Sequence, residues 1–112
     1  TFGFLFEALV ERDLRTYAET WGGKLFHYRD ASGRKVDAIV ELPDGRWGAF
    51  EIKLGGNQVE QAAEKLVALK QWMAADPQAR PPAILGVICG IQNVAMTRPD
   101  GVLVIPASTL CP

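Results

Sequence analysis

The sequence predicts a mixed α/β fold, of the α+β kind, on three observations. Apolar residues recur at helical spacing near the start of the chain and again past its middle. Three strand-like runs with short turns lie between those two stretches, and a later run, AILGVICG from Ala83 to Gly90, is apolar throughout. The implied order is helix, three-stranded antiparallel meander, helix, buried strand and C-terminal hairpin. At 112 residues the chain is expected to form one domain, residues 1–112, large enough to bury a core without disulfide staples.

From Gly3 to Thr20 the residues Phe6, Val10, Leu14, Tyr17 and Trp21 mark the apolar stripe of a first helix, which Gly22-Gly23 ends. Lys24 to Arg29 reads as a short strand, and Asp30 to Arg34 as the turn after it. Apolar and β-branched residues then run through Val36 to Leu42 and again from Trp47 to Leu54. Gly55-Gly56-Asn57 breaks the third strand, and Asn57 or a neighbour is expected to cap a second helix reaching Asp76. Val59, Ala62, Leu66, Leu69 and Met73 form its core stripe, with Val67 and Trp72 left outside it. After a linker at 77–82, the buried strand is expected at the centre of the sheet, beside the hairpin. Val94 to Met96 and Val102 to Ile105 form the last hairpin, ended by Pro106.

The central hairpin decides where its polar residues go. A two-residue Asp-Gly loop would place Asp37 opposite Ile52, with Asp37 and Glu51 on opposite faces. Pro43 and Asp44 instead suit the central positions of a type I turn, with Gly45 left-handed in a bulged three-residue loop. That register pairs Leu42 with Arg46, Ile39 with Ala49 and Asp37 with Glu51. Asp37, Glu51 and Lys53 then share one face, while Val36, Ala38, Val40, Leu42, Phe50 and Ile52 form the core face. Two carboxylates directly opposed across a sheet repel by about 0.2–1 kcal/mol unless a cation lies between them. A divalent metal is the simplest such cation, and Lys53 is placed to steady whatever the metal holds.

Asp37, thirteen residues, then Glu51-Ile52-Lys53 resembles the motif of the PD-(D/E)XK nuclease superfamily, a restriction-endonuclease-like core. Gly3 to Glu7, Tyr28-Arg29-Asp30, Val36-Asp37, Phe50 to Lys53 and Val104-Ile105-Pro106 together resemble the C-terminal domain of unknown function of prokaryotic AAA-type ATPases. The resemblance implies a C-terminal fragment of a larger ATPase, whose ATPase module and winged helix would be its partners. It also implies Mg²⁺ or Mn²⁺ held by Asp37, Glu51 and the Ile52 carbonyl, with Lys53 positioning water and Glu7 as an accessory acid. Many nucleases of the superfamily place a polar helper where Gln61 lies, one turn into the second helix. One residue departs from the pattern: Lys35 stands where the family commonly has Glu.

Composition bounds these expectations. A net charge of −1 gives no general bias toward nucleic acid, although eight of the twelve basic residues lie at or before Lys53. Arg29, ahead of the motif hairpin, is a candidate phosphate contact. His27 is the only histidine, so a Ser/His/Asp set has little to build on, and it reads as a strand residue. Two cysteines without CxxC spacing, Cys89 and Cys111, predict a reducing cytoplasm, and no run approaches the roughly 18 apolar residues of a membrane span. Three functions fit: a metal-dependent nuclease, a catalytically silent nuclease-fold module that regulates the ATPase, and a plain domain with a surface ion-pair network.

Overall fold

A computed structural model of the chain describes residues 2–90 and 95–110. Helix α1 (Phe2–Thr20) leads into strands β1 (Lys24–Arg29), β2 (Lys35–Glu41) and β3 (Trp47–Lys53). Helix α2 (Val59–Ala74) follows, then β4 (Ile84–Cys89), β5 (Met96–Thr97) and β6 (Leu103–Pro106). One six-stranded sheet takes the order β1-β2-β3-β4-β6-β5. The meander β1-β2-β3 is antiparallel, β4 joins β3 and β6 joins β4 in parallel, and β5 returns antiparallel on β6. A parallel neighbour needs a long crossover, which α2 supplies between β3 and β4. The expected fold class is the observed one, with β4 inside the sheet beside the hairpin. Val94 and Cys111 lie outside the described residues.

The helices cover opposite faces. Val10 and Leu14 of α1 pack with Ala38, Phe50, Ile52 and Ile88, whereas Ala62, Ala63 and Leu66 of α2 pack with Ala49, Leu85, Val87 and Val102. The predicted stripe of α1 holds only as far as Leu14. Ala18 takes the next core position, and Tyr17 and Trp21 stay exposed. The cause is the close approach of the helix end to β2, where a Cβ on Gly23 would lie 2.6 Å from the Glu41 carbonyl oxygen. A small residue fits there and an aromatic one does not. Gly22, at φ 75°, ends the helix in a Schellman motif, with Gly22 N–H donating to Glu19 O (3.0 Å) and Gly23 N–H to Ala18 O (2.9 Å).

The start of α2 also differs from expectation. Asn57 lies inside a 3₁₀ turn, Gly56–Gln58, that runs straight into the helix, and no side chain caps it. Such a turn absorbs the first free N–H groups with its own i→i+3 bonds. Among the described residues no helix is long and apolar enough to cross a membrane.

The hairpin turn is the bulged loop. Gly45 has φ 89°, Gly45 N–H donates to Leu42 O (2.9 Å), and Leu42 N–H donates to Arg46 O (2.8 Å). The ladder then runs Glu41↔Trp47, Val40↔Gly48, Ile39↔Ala49 and Ala38↔Phe50. Phe50 is the keystone of the α1 side. Its ring lies over two glycines, so that a Cβ added at Gly86 or Gly48 would approach it to 2.8 or 2.9 Å.

Removing the ring empties that site, so Phe50→Ala is expected to cost about 3–5 kcal/mol in denaturant unfolding. Gly86→Ala, which forces the ring to move, should cost about 1–3 kcal/mol. Lys53→Ala, which removes no core contact, should stay within about 1 kcal/mol of the parent.

Candidate functional site

The site forms where the meander stops being regular. Between β1 and β2 the partners run Phe26↔Ile39 and then Tyr28↔Val36, so His27 alone opposes both Asp37 and Ala38. This is a β-bulge in β2, and it breaks the alternation of side chains at Asp37. The consequence is visible two residues apart: Ala38 packs under α1, whereas Val36, expected on the same face, packs under α2. The expected direct pairing of Asp37 with Glu51 is therefore corrected, because the β2–β3 ladder ends at Ala38↔Phe50.

Past that point the two acidic side chains take the place of the missing ladder bonds. Asp37 N–H donates to Glu51 Oε2 (2.9 Å), and Ile52 N–H donates to Asp37 Oδ2 (2.9 Å). Each carboxylate thus holds a peptide N–H that the parting strands leave without a partner. Glu51 is 1% exposed, and its other oxygen accepts from Lys65 Nζ at 2.9 Å. Lys65, on α2, was not singled out by the sequence. It lies one helical turn past Gln61, which is exposed, and the signal was a cation on the helix face that passes over β3.

Asp37 meets a different neighbourhood. It lines a cleft of about 330 Å³ together with Glu7, Glu11, His27, Arg29 and Lys35. Asp37, Glu7 and Arg29, three of the expected site residues, are thus brought to one place, while Glu51 reaches Asp37 from the α2 side. The expected single shared face for Asp37 and Glu51 gives way to an approach from two sides, since the bulge swings one of them. Glu11 is a second residue the sequence did not pick out, one turn after Glu7. His27 links α1 to the bulge, with Nε2 2.9 Å from Glu11 Oε1 and Nδ1 2.8 Å from the Asp37 carbonyl oxygen. Both partners are acceptors, so a neutral ring satisfies one of them and an imidazolium satisfies both.

Lys53, at the end of β3, is half-buried, and among the described residues its ammonium makes no hydrogen bond or ion pair. Asp37 Oδ1 likewise has no hydrogen-bond partner among the described residues. No group of three His, Cys, Asp or Glu side chains placed to hold a metal occurs among the described residues. What converges is two carboxylates and the Ile52 peptide, whose carbonyl shares a strand edge with its N–H.

The β1–β2 turn sets the cationic rim. Asp30 Oδ1 accepts from Ser32 Oγ (2.7 Å), Ser32 N–H (3.0 Å) and Arg34 N–H (3.0 Å), and Oδ2 accepts from Tyr28 OH (2.9 Å). The Ser32 hydroxyl leads in holding the Asp30 carboxyl down to about 2, with Tyr28 and the two peptide donors adding to it. The same bond raises the Tyr28 phenol above its usual range. The turn so fixed lays the Arg34 guanidinium over Trp72 of α2, 4.2 Å from the ring centre.

Two outcomes are expected. A depressed carboxyl stabilises the turn above its unfolded value of about 3.9, and that contribution fades as pH falls through about 2. Carbon-detected NMR titration of Asp30 should therefore find a midpoint near 2, with the Ser32 and Arg34 amide shifts moving along it. Lys65→Met should cost about 1–3 kcal/mol in denaturant unfolding, because it strands a buried carboxylate. Adding Glu51→Gln should recover part of that loss.

The chain matches the family model described as "Domain of unknown function (DUF4143)" over residues 2–110. Searches of the curated proteins and of the solved structures found no match to it. A match over nearly the whole chain is sufficient for assignment, and the protein belongs to the DUF4143 family.

Proposed function

We propose that this domain is a metal-dependent phosphodiesterase that acts on nucleic acid, built on a restriction-endonuclease-like core. The single observation that carries the reading is the convergence of Asp37, Glu51 and the Ile52 peptide at the gap where β2 and β3 part, with Lys53 two residues beyond. The donors suit Mg²⁺ or Mn²⁺. They are hard oxygens, Asp37 Oδ1 is uncommitted among the described residues, and Mg²⁺ is commonly held by one or two carboxylates with water completing its shell. Asp37, Glu51 and the Ile52 carbonyl would hold the ion.

Bound there, the cation supplies Lewis-acid stabilisation of the phosphoryl oxygens and a more acidic water. The chain's own residues do the rest. Lys53 orients the attacking water and offsets the negative charge that develops on phosphorus. Glu7, the accessory acidic residue, lines the cleft with Asp37 and as a carboxylate accepts the proton of the attacking water, and Arg29 at the same cleft meets a flanking phosphate. The resemblance to the ATPase-associated domain makes a larger ATP-binding protein the natural source of substrate.

A second reading rests on Lys65. Its ammonium already neutralises Glu51, as a metal would, and a domain that keeps this ion pair is a catalytically silent module serving its ATPase. Calorimetry with MnCl₂ separates the two. Under the phosphodiesterase reading the protein binds Mn²⁺, Asp37→Asn and Glu51→Gln abolish binding, and Lys65→Met tightens it by removing the competing cation. Cleavage of nucleic acid in Mn²⁺ should fall at least about 100-fold in Asp37→Asn, Glu51→Gln and Lys53→Ala. Absence of Mn²⁺ binding in both parent and Lys65→Met selects the silent module.

A further inference from the structure

Helix α2 packs chiefly on β3 and β4 and covers the adjoining face of β1 and β2 only in part. A groove results along the C-terminal half of α2, in two adjoining compartments. The first, about 470 Å³, has Tyr28, Trp47 and Trp72 in its walls among aliphatic residues, and Asp76 also lines it. The second, about 270 Å³, is lined by Arg34, Lys35 and Lys65, and no acidic residue lines it. Val36, Leu69 and Trp72 line both, so the two compartments adjoin along α2. Lys35 and Val36 also line the cleft that holds Asp37, which makes the cationic compartment its neighbour.

We propose that this groove seats a single strand of nucleic acid, with bases on Tyr28, Trp47 and Trp72 and phosphates on Arg34, Lys35 and Lys65, leading the backbone to Asp37. The inference rests on the phosphodiesterase reading for the identity of the polymer and adds the strandedness. Its basis is the pairing of partly exposed aromatic walls with three cations, Lys35, Arg34 (3.5 Å from Asp30) and Lys65 (2.9 Å from Glu51), the pattern that binds unpaired bases and their backbone together. A duplex stacks its bases on one another and offers no free face to the aromatic walls. The first compartment has the volume of a small-ligand site, suited to one nucleotide at a time. Trp72 keeps 45% of its surface open although Arg34 lies over its ring, so part of an aromatic surface is presented together with a cation. Lys35, which lines both, puts a cation at the junction of groove and cleft.

The test is fluorescence anisotropy with a short labelled oligothymidylate, in EDTA and low salt, so that neither metal nor cleavage enters. The strand is expected to bind, with the corresponding duplex and thymidine monophosphate each at least about tenfold weaker. Trp72→Ala should weaken binding about 5- to 150-fold, the effect of one lost stacking contact, while Trp72→Phe retains most of it. Lys35→Glu should weaken binding and flatten its dependence on salt, whereas Trp21→Ala, on the α1 side, should leave it unchanged. Equal affinity for duplex, or binding indifferent to both Trp72→Ala and Lys35→Glu, overturns the groove. Strand binding that responds to these variants in a protein that takes up no Mn²⁺ and cuts nothing overturns the phosphodiesterase reading instead and leaves the groove standing.

Discussion

The buried carboxylate of Glu51 is the constraint on which the rest of this structure depends. An ionised side chain taken out of water costs several kcal/mol unless its oxygens find partners, and here both do. One oxygen takes the Lys65 ammonium and so ties α2 to β3, while the other takes the Asp37 peptide N–H and ties β2 to the same strand. The remaining peptide group at the opening, Ile52 N–H, goes to Asp37. The sheet can part at this point only because two acidic side chains replace the ladder that ends there. A chain with apolar residues at 37 and 51 would have to close the gap or leave buried N–H groups unpaired.

That opening has a geometric cause one strand away. The extra residue in β2 opposite His27 turns Asp37 toward Glu7, Glu11 and His27, and reverses the face of Val36. His27 then braces the bulge from behind, holding its carbonyl with one nitrogen and α1 with the other. Bulges commonly re-aim a side chain beside a functional site, and this one delivers a carboxylate to the edge of a cleft while its partner stays in the core.

The two faces of the sheet are used differently. Under α1 the packing is centred on Phe50 and the glycines that make room for it, and it ends in an apolar cleft beside Tyr17 and Trp21. Under α2 the helix covers the middle strands and only part of β1 and β2, and the flank left partly open is the groove with aromatic walls and a cationic end. The cationic character there comes from the turn pinned by Asp30 and from Lys65 on α2, not from net composition. A chain of net charge −1 thus gathers Arg34, Lys35 and Lys65 at one place by folding.

Local chemistry was enough to determine much of this protein from the sequence. Proline, aspartate and glycine at 43–45 admit one favourable turn, and that turn fixes the register up to Ala38↔Phe50. Helical periodicity places both helices, and strand-like runs place the meander and the buried strand, because each depends on residues within a few positions of one another. The terminal behaviour of both helices was less legible. Alanine at 18 displaces the aromatic stripe only because β2 comes close, and a 3₁₀ turn replaces the expected cap at Asn57. The site itself was half legible: Asp37, Glu51 and Lys53 were visible as a spacing, but their disposition was not. A bulge arises from the mismatch between two strands, and an ion pair such as Glu51–Lys65 joins residues on different elements. Neither leaves a mark within a local window, so only the tertiary structure decided which way Asp37 turns and which cation Glu51 keeps.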